Sequence, residues 1–156
     1  MTPSVYLETT IPSYLTAWRS RDLIKAAHQE ATHEWWDQRN KFMLYISQLV
    51  VRESAGGDPE AARDRLRVLD DIPLLDLNEP AESLARDLVE SGPVPAKAAV
   101  DALHIAIATV HGMDYLLTWN CSHIANATMR SEIELVCQRN GLIAPIICTP
   151  IELMEV

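Results

Sequence analysis

The run from Ala98 to Val110, AAVDALHIAIATV, constrains the fold more than any other stretch of the chain. Only Asp101, His104 and Thr109 interrupt its apolar residues, so a helix here is hydrophobic on every side and belongs in the interior. A carboxylate inside such a helix costs several kcal/mol unless a cation or a cationic side chain compensates it. Asp101 therefore marks a candidate site. Gly112 stops the helix, and Tyr115 to Trp119, YLLTW, reads as a short buried parallel strand that ends at Asn120. Ligands gather beyond the carboxyl ends of strands in open α/β sheets, which puts Asn120 where chemistry is expected.

The same alternation runs through the rest of the chain. Ser4 to Glu8 reads as a first strand with Glu8 at its carboxyl end, followed by a short helix that Thr9 or Thr10 caps ahead of Pro12. A longer helix is expected from Asp22 to about Arg39, with Ile24, Ala27, Ala31 and Trp35 as its buried stripe. Phe42 to Ser47 is a second strand and QLVVRES a helix that carries Glu53. Asp58-Pro59 opens a further helix, with Ala62, Leu66 and Leu69 inward. Pro73 to Leu77 forms a third strand, and Asn78 caps a helix that runs to Glu90. Ser122 to Ala127 is a short helix or turn, Met129 to Asn140 a full helix closed by Gly141, and Ile143 to Cys148 the last strand. Strands alternating with helices imply a three-layer α/β/α sandwich around a mainly parallel sheet. With no repeat, linker or low-complexity tract, residues 1–156 are expected to form one domain.

Composition narrows the function. Three cysteines, Cys121, Cys137 and Cys148, include no C-x-x-C pair, so neither a disulfide framework nor a zinc site is indicated. No basic leader precedes an apolar segment and no uncharged apolar run approaches the length of a membrane span, so a cytoplasmic protein without a membrane partner is expected. A net charge of −9 argues against broad electrostatic binding of nucleic acid, which needs many Lys and Arg. It leaves room for a local acidic site that engages phosphate through a cation, assisted by arginines such as Arg19, Arg21, Arg63 and Arg65. His28 and His33 lie five apart and do not form H-E-x-x-H. Trp18, Trp35 and Trp36 exceed what one amphipathic stripe uses, which suggests core packing or a subunit interface.

Four polar residues stand out: Glu8 and Asn120 at strand ends, Glu53 and Asp101 on apolar helices. Converging carboxylates are how proteins hold hard cations such as Mg²⁺ and Mn²⁺. Each residue alone has an ordinary structural explanation as a cap, a turn former or a surface charge. The order of YLETT, VVRES, D-A-L-H-I-A and a strand followed by T-W-N resembles the PIN domain over essentially the whole chain, closest to the toxin-type (VapC-like) members of bacterial and archaeal toxin–antitoxin pairs. The resemblance implies a ribonuclease dependent on Mg²⁺ or Mn²⁺, usually a homodimer and often inhibited by a cognate antitoxin. Glu8 stands where that family carries an aspartate and Asn120 where it carries an acid, so the site drops from four potential negative charges to three. Weaker ion binding is the expected consequence. Under this resemblance Glu8, Glu53 and Asp101 are ligands, and Asn120 orients a bound water or holds a second ion. The alternative is a degenerate PIN-like domain that binds RNA or a protein partner without cleavage. A phosphatase-like hydrolase finds no support, since D-x-D after the first strand, a P-loop and G-x-G-x-x-G are all missing.

Overall fold

A computed structural model describes residues 1–154. Five strands, β1 (Ser4–Leu7), β2 (Met43–Ser47), β3 (Leu74–Leu75), β4 (Tyr115–Leu117) and β5 (Ile146–Cys148), form one sheet in the order β3-β2-β1-β4-β5. All four pairings are parallel, with Tyr6 opposite Tyr45 on one side and Leu116 on the other. Parallel strands bury both faces, and accordingly Ser4 through Leu7 are buried without alternation. Seven helices cover the sheet: α1 (Thr10–Thr16), α2 (Leu23–Asp37), α3 (Gln48–Ser54), α4 (Pro59–Leu69), α5 (Glu79–Glu90), α6 (Ala99–Val110) and α7 (Ala127–Arg139). α1 packs on α2 and α4, and α5 on α6 and α7; with the strand order, the general right-handedness of parallel crossovers assigns these two groups to opposite faces of the sheet. The result is the three-layer α/β/α sandwich that the alternation of elements predicts. Among the described residues no helix is long and apolar enough to cross a membrane.

Local signals set most boundaries. Asp22, Asp58, Asn78 and Asn126 cap α2, α4, α5 and α7 by accepting a backbone N–H, and prolines occupy the first turns of α4 and α5. Arg65 does not stand free for phosphate. It donates to the Ser54 and Gly56 carbonyls at 2.9 and 2.6 Å and so closes the end of α3.

One expectation about α2 needs correction. The buried stripe of α2 is Ala26, Gln29, Thr32 and Trp35, while Ile24 and Ala27 face solvent. Gln29 and Thr32 turn inward because each has work to do there. Gln29 ties the Trp18 carbonyl to the Ser20 amide, and Thr32 accepts the Trp119 indole proton at 2.8 Å. Of the three tryptophans, Trp35 packs in the core beside Phe42, Trp36 lies under the Arg39 guanidinium, and Trp18 is 97% exposed.

Candidate metal centre

An all-parallel sheet has all its carboxyl ends on one edge, so residues that follow β1, β2 and β4 share that edge. Between β1 and β4 the winding reverses direction, and the crevice at such a switch point is where open α/β sheets take ligands. Glu8 directly follows β1 in this crevice and is 5% exposed. Its Oε1 accepts from the Thr10 amide at 3.1 Å, the Thr10 hydroxyl at 2.5 Å and the Thr118 hydroxyl at 2.6 Å. Bonds to a charged group contribute about 1.5–3 kcal/mol each, so three offset a desolvation cost of several kcal/mol. The same two hydroxyls accept the amides of Trp119 (2.8 Å) and Asn120 (2.9 Å), which splices E-T-T to T-W-N.

Glu53 enters from the last turn of α3. Its Oε1 accepts from the Thr9 hydroxyl at 2.6 Å and meets His104 Nε2 at 2.7 Å. Thr9 occupies the cap position of α1 without capping it, since a bond to a carboxylate is worth more than one to a backbone amide. Burial alone raises the Glu53 carboxyl, but the bonds from His104 and Thr9 outweigh that and hold it below its ordinary value. In both glutamates the bound donors all use Oε1. Oε2 of each takes no protein donor among the described residues.

Asp101 departs from the expectation of a buried carboxylate. The first turn of α6 reaches the surface, where Val100 is 46% exposed and the Asp101 side chain 21%; Ala102 is buried, and burial is continuous only from His104 to Thr109. The positive end of the helix dipole favours a carboxylate at that place. Its Oδ2 lies 3.4 Å from His123 Nδ1. Asn120 holds this histidine's loop, because its Oδ1 accepts from the Ser122 and His123 amides at 3.3 and 3.0 Å in a side-chain turn. Trp119, between them and Thr118, is stacked between Tyr14 and His28 with ring centres 5.7 and 4.1 Å away.

Ligand atoms of Glu8, Glu53 and His104 all lie within 4.8 Å of one another. His104 was not among the residues singled out from the sequence. A signal was present, since His104 is three positions from Asp101 and on the same face of one helix. Neither glutamate is neutralised by lysine or arginine among the described residues, where the acids of the cleft pair only with His104 and His123. Two carboxylates with an oxygen each to spare and no fixed cation suit a hard divalent ion.

No protein-family profile and no curated protein matches the chain. Solved structures do. One is a chain from the crystal structure of VapBC2 from Rickettsia felis bound to a DNA fragment from their promoter, with a TM-score of 0.57 at 16% identity over 93% of this chain and 97% of that one. The likeness is one of fold: this chain is a three-layer α/β/α sandwich built as in that chain.

Proposed function

We propose that residues 1–156 form a single PIN-type domain that hydrolyses RNA phosphodiester bonds with Mg²⁺ or Mn²⁺, as the toxin of a toxin–antitoxin pair in the cytoplasm. The observation that carries this reading is the pair Glu8 and Glu53, each fixed through one oxygen and open at the other, with no lysine or arginine to balance them among the described residues. Glu8, Glu53 and Asp101 hold the ion, and Asn120 shapes the loop that brings His123 to Asp101. A bound divalent cation supplies charge neutralisation of the phosphate and a more acidic water. The protein's own contribution is orientation: three threonine hydroxyls fix the two glutamates, and Asp101 stands partly exposed beside His123. The chain is expected to act as a homodimer, with a light-scattering mass about twice 17.5 kDa, and to be inhibited by a cognate antitoxin.

End-labelled RNAs incubated with the protein at millimolar Mn²⁺ test the activity. Cleavage by wild type that EDTA stops and Asp101→Asn lacks is the expected result; intact RNA with both wild type and Asn120→Asp rejects it. A domain that binds RNA or a protein partner without cutting is the alternative. Asn120 favours it, since an uncharged side chain already engaged by Ser122 and His123 leaves the site one charge short.

A further inference from the structure

Beyond the acids lies a buried chain of polar groups that the proposed chemistry does not use. Ser47 Oγ is 2.7 Å from Tyr6 Oη, Tyr6 Oη is 2.7 Å from His104 Nδ1, and His104 Nε2 is 2.7 Å from Glu53 Oε1. All three donors are fully buried: Ser47, Tyr6 and His104 are each 0% exposed. They come from β2, β1 and α6, and the line ends on Glu53 of α3.

Counting protons orients this chain. An ionised carboxylate only accepts, so His104 Nε2 carries a proton and donates it to Glu53. With Nδ1 as the acceptor, the Tyr6 hydroxyl donates to it and the Ser47 hydroxyl donates to Tyr6, and every proton has a partner. Running the chain the other way needs a proton on Nδ1 as well, turns Tyr6 toward Ser47, and leaves the Ser47 hydroxyl proton with no acceptor among the described residues. Burial raises the Tyr6 phenol far above its ordinary value, which keeps it a donor.

Resting on the cation-dependent reading above, we propose that His104 is a positioning residue for Glu53, locked by Tyr6 and Ser47 as the Nε2–H tautomer, and is not itself an ion ligand. Its nearness to Glu8 and Glu53 then has a different meaning. The nitrogen that faces the acids has its lone pair occupied by a proton, so it steers one carboxylate oxygen and leaves the other turned to the ion. Glutamate on an exposed helix end samples many rotamers, and a charge-assisted bond from a rigid buried ring removes that freedom before any ion arrives.

Long-range ¹H–¹⁵N spectra of histidine-labelled protein, first metal-free and then with saturating Mg²⁺, read the tautomer directly. The Nε2–H pattern is expected in both. A metal-free Nδ1–H pattern, or loss of the Nε2 proton on adding Mg²⁺, overturns the proposal. In parallel, spin-echo spectra of the Mn²⁺-loaded protein should lack a directly bonded ¹⁴N coupling, and finding one overturns it. For Mn²⁺ affinity, His104→Leu should lose about 10- to 100-fold. His104→Gln, whose amide can donate to Glu53, should recover most of that. Equal losses in both variants count against positioning, and Tyr6→Phe, with a smaller several-fold loss, covers the case in which His104→Leu does not fold. The metal-free spectrum decides the His104 assignment even if no ion binds; failure of wild type to bind Mn²⁺ rejects the nuclease reading instead.

Discussion

The two walls of the crevice hold their acids in opposite ways. On one, Glu53 is tied to a ring in the protein interior, and that ring to Tyr6 and Ser47, with no solvent contact behind it. On the other, Asp101 meets His123 at 3.4 Å, with both side chains partly exposed. The first wall has one geometry because moving Glu53 strands buried polar groups, each of which costs about 1–3 kcal/mol unpaired. The second can shift at little cost, since an exposed ion pair contributes about 0–1 kcal/mol. One carboxylate is thus preordered and the other adjustable, so under the cation-binding proposal Asp101 would adapt to an ion while Glu53 stays fixed.

The largest effect that tests this contrast is on activity. Asp101→Asn should lower RNA cleavage on the order of 10³-fold, because ion-based charge stabilisation is worth several kcal/mol at tenfold per about 1.4 kcal/mol. Its circular-dichroism spectrum and melting temperature should stay those of wild type; a large drop in stability would mean that the second wall is as rigid as the first. Next comes stability itself. His104→Ala should cost roughly 3–5 kcal/mol by opening a buried network, about 10 °C in melting temperature for a chain of this size. His123→Ala should cost under about 1 kcal/mol. Calorimetry showing equal losses for the two histidines would erase the distinction between the walls.

Ion linkage gives an intermediate effect. Mn²⁺ at about 100 times its Kd should stabilise wild type by about 2.7 kcal/mol. Asn120→Asp should gain more at the same concentration, since aspartate also accepts from the Ser122 and His123 amides while restoring a charge, and Asp101→Asn should gain almost nothing. Equal thermal shifts in all three would put the ion elsewhere. The smallest effect is on pH dependence. The folded Glu53 carboxyl lies below its unfolded value, so its stabilising bonds are fully present above the ordinary glutamate range and disappear as pH falls through the folded value. Metal-free Glu53→Gln should therefore differ most from wild type near neutrality and converge with it in acid; a gap that widens in acid would reverse the assignment.

The sheet was legible because each strand is a short apolar run between turn signals, and the helix caps Asp22, Asp58 and Asn78 announce their helices locally. The positions of Glu8 and Asn120 just past β1 and β4 could be read for the same reason. What lay beyond reach were pairings between distant segments. Thr9 looks like a helix cap until Glu53, 44 positions on, competes for its hydroxyl. His104 looks like a flaw in an apolar helix until Tyr6, 98 positions earlier, meets its ring. In α2 apolar periodicity misled, because Gln29 and Thr32 are buried through bonds to Trp18 and Trp119 that their polarity conceals.

The central strand is also the first one made. β1 leads the sequence, yet Glu8 acquires its Thr118 partner only 110 residues later, and Val5 pairs with Tyr115 at the same late stage. At typical synthesis rates of 5–20 residues per second the growing chain carries an unfinished crevice for roughly 5–20 s. Throughout that interval Glu8 has Thr10 beside it but neither Thr118 nor the Asp101–His123 wall. The crevice is thus among the last parts of the fold to be assembled, and its full set of hydrogen bonds forms only as synthesis of the chain ends.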